Sequence, residues 1–133
     1  MVDPPAASFR EMLQGMVEAG ASSLPSIGSD IAMEGATESA YDATPIEALL
    51  SLFEAVDEIA ARLGQVRCPV LLLSSRKDHV VPSESGDLVV DRAAGPVERV
   101  WLERSFHVAT LDCDAPELEA RAVAFAHKMA GPT

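Results

Sequence analysis

The sequence predicts an α/β fold, and three observations carry that prediction. Val70-Leu71-Leu72-Leu73-Ser74 is an apolar run without polar alternation, the pattern of a parallel strand covered on both faces. Val97-Glu98-Arg99-Val100-Trp101-Leu102 is a second strand pattern. Helical patterns lie between and after these runs, so the tail reads strand, helix, strand, loop, helix, the order of a parallel crossover unit.

Upstream, Phe9, Met12, Leu13, Met16 and Val17 recur at the spacing of one face of an amphipathic helix, and Gly20 supplies its stop. From Ala21 to Asp42 there is Ser, Gly, Pro and acid without a sustained period, so this segment is expected to be irregular. Thr44-Pro45-Ile46-Glu47 reads as a capping box with proline at the first helical position. The helix it opens has Ile46, Leu49, Leu50, Phe53, Val56, Ile59, Ala60 and Leu63 on one face and stops at Gly64. Ser83 to Ala94 is a shorter helix weakened by Gly86. Asp114-Ala115-Pro116-Glu117 caps a last helix with Leu118, Ala122, Phe125 and Met129 in register.

Two parallel strands leave two open edges and do not normally stand alone. No convincing third strand is legible, so either the irregular segment hides strands or, the favoured reading, the sheet is completed by sequence outside this chain. At 133 residues the chain is one domain or less. Its formal charge of −11, from 10 basic and 21 acidic residues, excludes nucleic acid and anionic membrane surfaces as partners and reads as the cover of a soluble surface. Cys68 and Cys113 lack any finger or Cys-x-x-Cys spacing and are expected to be reduced. Met1-Val2-Asp3-Pro4-Pro5 is neither a basic nor an apolar leader, and the longest apolar stretch, Pro69 to Leu73, is far too short for a bilayer. A cytoplasmic location follows as an expectation.

Asp78 and His107 are the candidate chemistry. Each lies just past the end of a predicted strand, the sheet edge where α/β folds collect ligands and catalytic groups. Their separation of 29 positions (107 minus 78) spans one helix and one strand, which returns both side chains to the same edge. An acid that orients an imidazole, with an imidazole titrating near neutrality, makes a general base. His79, with Asp112 and Asp114 nearby in sequence, lacks metal-ligand spacing and reads as a solvated loop, so no metal site is expected. Met12 and Met16, with Phe9 and Leu13, fit both core packing and the lining of an acyl pocket. His127 reads as a helix-face residue, Trp101 as core, Glu103 and Arg104 as surface charge, and Ser105 as a shaper of its loop through a local hydrogen bond.

Three segments resemble the bacterial carboxylesterases and monoacylglycerol-lipase-like enzymes of the α/β-hydrolase superfamily. Cys68-Pro69-Val70-Leu71-Leu72-Leu73 followed by Asp78-His79-Val80-Val81-Pro82 is similar to the strand and acid loop of that group. Ser105-Phe106-His107-Val108-Ala109-Thr110-Leu111-Asp112 resembles its histidine signature, and Tyr41-Asp42-Ala43-Thr44-Pro45 the start of the helix after its lid. Acid before histidine is also the family's chain order. The resemblance covers only the C-terminal half of the fold. It implies that residues 1–43 are a cap or lid-like segment and residues 44–133 the C-terminal part of the core, with Val70–Ser74 and Val97–Leu102 as the last two of eight strands.

What the resemblance implies is a carboxylic ester hydrolase working through a serine acyl-enzyme on a small ester with an acyl chain, without cofactor. Asp78 and His107 would be two of its three catalytic residues. The nucleophile is missing: no Gly-x-Ser-x-Gly occurs, Ser22 having Gly20 before it but Leu24 after, and Ser26 having Gly28 after but Leu24 before. The chain alone is therefore expected to be inactive. Two alternatives remain open. One is an inactive remnant that binds a ligand or pairs with another chain, as a homodimer for example; the other is one half of a split hydrolase whose N-terminal half is a separate polypeptide.

Overall fold

The computed structural model describes residues 7–131. Positions 1–6 of the expected cap segment and positions 132–133 of the expected core lie outside the described residues.

The first helix, α1 (Ala7–Glu18), buries Leu13 completely. It ends where Gly20 takes φ +87°, a left-handed conformation that glycine adopts without a Cβ clash, while the Gly20 and Ala21 amides bond the carbonyls of Val17 and Met16. Ser23–Pro25 (β1) and Ala43–Pro45 (β2) then form a short antiparallel pair, Leu24 opposite Thr44. The segment expected to be irregular thus contains a strand. Three residues ending in a proline give no readable alternation, and the pairing partner lies about twenty positions away, outside any local signal.

That ladder also explains why the capping box at Thr44 does not form. Thr44 is engaged in β2, the helix α2 (Ile46–Arg62) begins at Ile46, and Pro45 before it makes no side-chain cap bond. The Ile46 N–H goes instead to the Ser22 carbonyl, so the sheet partner does the work expected of a cap. Leu13, Ile46 and Phe53 are the buried centre of this layer, with Met16, Val17, Ala21, Leu24, Leu49 and Leu50 packed against it. Arg10 of α1 crosses to α2, donating to the Phe53 carbonyl at 3.0 Å and pairing with Asp57 at 2.8 Å. The predicted stop at Gly64 is replaced by a 3₁₀ turn, Leu63–Gln65, and Ile59, expected on the buried face, is half exposed.

The second layer is the predicted crossover: β3 (Val70–Ser75), α3 (Glu84–Arg92), β4 (Val97–Leu102) and α4 (Ala115–Ala130), the strands parallel with Val70 opposite Val97 and Ser75 opposite Leu102. Among the described residues β3 pairs only with β4. Every residue of β3 is only partly buried, against the expectation of a strand covered on both faces. Among the described residues no strand pairs with its outer edge, and α4 lies against β3 without burying a single one of its own residues completely. Gly86, which seemed only to weaken α3, has a packing reason. A Cβ there would stand 2.5 Å from Nη2 of Arg99, whose guanidinium stacks over Trp101 at 3.7 Å and pairs with Asp87.

Candidate active site

Asp78 stands three residues beyond the end of β3 and closes a side-chain turn: its Oδ1 accepts the amides of Val80 and Val81, both at 2.8 Å. That fixes the carboxylate and turns Oδ2 toward the loop after β4, where His107 Nδ1 lies 3.0 Å away. Burial pushes the Asp78 carboxyl up, but the amides of Val81 and Val80 and the ring of His107 outweigh it and hold the group below the ordinary carboxylate range. An ionised carboxylate only accepts hydrogen bonds, so the imidazole proton sits on Nδ1 and the lone pair is left on Nε2. The sheet thus brings together the two residues that the sequence singled out. Both line a cavity of about 320 Å³, with Leu72, Val81, Val89 and Ala109 among its apolar wall residues and Ser74, Ser75, Ser83 and Ser85 among its polar ones.

The histidine loop is held by three acids that sequence reasoning missed. Asp112 is fully buried and accepts four amides: Ala32, Met33, Phe106 and Cys113. Burial raises its carboxyl, but those amide bonds win and bring it down to about 2. Asp114 takes the amides of Arg104 and Ser105 and the Arg104 guanidinium at 2.7 Å. Arg104 is therefore no idle surface charge, and Asp114 caps nothing on α4 because its oxygens are spent on this loop. Ser105 behaves as read from the sequence, its Oγ accepting the Asp114 amide at 2.8 Å. Asp30, inside the segment that showed no period, accepts the amides of His79 and His107 and pairs with the His79 ring at 2.7 Å. A sequence signal existed only for Asp112 and Asp114, as acids closing the histidine motif; Asp30 offered none.

Other candidates fall elsewhere. Met12 is half exposed on α1 and Met16 packs against the Leu13 cluster; neither lines the cavity beside His107. The structure thus does not bring them to the Asp78–His107 pair. His79 is engaged by Asp30 and meets the Phe106 ring edge-on at 4.6 Å. Among the described residues no group of three or more His, Cys, Asp or Glu side chains is placed to hold a metal, and no helix is long and apolar enough to cross a membrane. Both cysteines are unpaired with each other.

No protein-family model matches the chain. Individual relatives do. A thermostable monoacylglycerol lipase of Bacillus sp. (strain H-257) is 39% identical over 109 residues, which is 81% of this chain and 44% of the lipase. A solved structure reported with the metagenome-derived lipolytic enzymes LipS and LipT superposes with TM-score 0.84 at 37% identity, over 93% of this chain and 50% of that one. The chain belongs to the α/β-hydrolases. It carries a C-terminal part of that fold, in the carboxylesterase and monoacylglycerol-lipase-like group. At family level the relatives are lipases and esterases, and the chain spans about half the length of those it matches.

Proposed function

We propose that Asp78 and His107 are the acid and base of a carboxylic ester hydrolase whose nucleophile lies outside this chain. The observation that carries this reading is the 3.0 Å contact between His107 Nδ1 and Asp78 Oδ2 at the wall of the 320 Å³ cavity. His107 Nε2 would take the proton of an attacking serine and return it to the leaving alcohol; Asp78 would hold the tautomer and stabilise the imidazolium. The substrate is a small ester with an acyl chain, and the reaction draws on no metal or organic cofactor. Residues 1–43 act as a cap over this edge and residues 44–133 as core. The unpaired outer edge of β3 is where the strands bearing the nucleophile would join, from an N-terminal half of the same enzyme. The chain acts in the cytoplasm.

The test is p-nitrophenyl butyrate hydrolysis by the purified chain and by His107→Ala, with a fluorophosphonate probe and mass spectrometry to find any labelled serine. No turnover and no labelled serine is the expected result. Turnover that vanishes in His107→Ala, with label on a serine such as Ser75, would place the nucleophile inside the chain and end the proposal.

A further inference from the structure

Asp30 joins the two loops that carry the pair. Its Oδ2 accepts the amide of His79 at 3.2 Å and that of His107 at 3.0 Å; its Oδ1 takes the His79 ring at 2.7 Å; its own carbonyl takes the Val108 amide at 3.2 Å. One carboxylate oxygen therefore sets the distance between the backbone next to Asp78 and the backbone of His107. This link is independent of the bond between the two side chains. The segment bearing Asp30 is itself fixed, because the Ala32 and Met33 amides are held by Asp112 of the histidine loop, 80 and 79 positions away. Phe106 closes the arrangement by packing edge-on against the His79 ring.

We propose that Asp30 is a positioning residue for the Asp78–His107 pair, a clamp from the expected cap segment that holds the acid loop and the histidine loop in register. This rests on the reading of that pair as acid and base. A side chain that merely anchored a surface loop would need one acceptor and one loop. Asp30 spends two oxygens and a carbonyl on both. Burial raises its carboxyl, yet the ring and amide of His79 and the amide of His107 hold it below the ordinary range, so the clamp is charged at neutral pH. Charged acceptors make the stronger bonds.

The experiment follows the His107 Nδ1–H resonance and its solvent exchange in the ¹⁵N-labelled chain, with backbone amide spectra as the check on folding. Asp30→Ala is expected to speed that exchange by roughly tenfold, the scale of one lost charge-assisted bond, and to mix the His107 tautomers. Asp30→Asn keeps one carbonyl acceptor and should restore part of the protection. His79→Ala, which removes the ring bond but leaves the His107 amide bond, should change it least. Wild-type exchange in folded Asp30→Ala overturns the clamp; if that variant does not fold, unchanged exchange in Asp30→Asn overturns it instead. Asp78→Asn separates the two claims. If it leaves the wild-type Nδ1–H signal unmoved, the acid–base pair itself is wrong whatever Asp30 does.

Discussion

Ser105 and Asp114 hold each other by two reciprocal hydrogen bonds: the Ser105 amide donates to Asp114 Oδ2 at 3.0 Å, and the Asp114 amide donates to Ser105 Oγ at 2.8 Å. Both side chains are buried, so neither amide has water to fall back on. Ser105→Ala deletes one acceptor and leaves the Asp114 N–H stranded beside His107's loop. A loss of roughly 1–3 kcal/mol is expected, the cost of a buried unsatisfied donor, read from urea unfolding of the chain. Ser105→Thr, which keeps the hydroxyl, should recover part of it.

Asp112 makes the chain sensitive to acid in a defined window. Its carboxyl sits at about 2 when folded, below the ordinary value near 4. A depressed folded value means that the stabilisation is complete above the unfolded value and is lost as pH falls from about 4 toward about 2. Asp112→Asn leaves fewer acceptors for four amides and should cost roughly 1–3 kcal/mol at neutral pH. The difference in urea midpoint between it and the native chain should shrink steadily below pH 4. A difference that stays constant down to pH 2 would show that the charge on Asp112 contributes nothing.

Two glycines should respond differently to the same change. A Cβ on Gly95 would run into backbone, the carbonyls of Cys68 and Arg67, which cannot step aside without moving the start of β3. On Gly86 it would meet only the guanidinium of Arg99, the end of a flexible side chain. Overpacking typically costs about 1–3 kcal/mol, whereas Gly→Ala inside a helix returns about 1 kcal/mol of propensity. Gly95→Ala should therefore lower the melting temperature more than Gly86→Ala, by differential scanning calorimetry. Gly86→Ala should chiefly displace Arg99 from Trp101, visible as a change in tryptophan fluorescence.

The parallel crossover was legible because both of its strands are dense in β-branched and aliphatic residues and both end in a loop bearing chemistry, Asp78 and His107. Their convergence followed from topology alone, since parallel strands deliver successive loops to one edge. What the sequence hid were the long-range hydrogen bonds. Asp30 and Asp112 look like two of many acids in a chain of charge −11, and nothing in the sequence shows that an aspartate has partners 49 to 80 positions away. Thr44 misled for the same reason. The capping motif was intact in sequence, but a ladder with Leu24 claimed that stretch of backbone first.

The Leu13 cluster gives a test of how separable the two layers are. Leu13 is fully buried between α1 and α2 and clusters with Ile46 and Phe53, a cluster that does not include Ala32 or Asp112. Leu13→Ala removes three carbons from that cluster and should cost about 2–5 kcal/mol, depending on how far α1 collapses onto α2. If the histidine loop is held by Asp30 and Asp112 rather than by α1, hydrogen exchange should rise across residues 7–18 and at Ile46 while the amides of Phe106 and His107 keep their protection. A loss of protection at His107 equal to that in α1 would mean that the two layers open as one cooperative unit, and that α1 supports the Asp78–His107 pair through the core rather than through the aspartates.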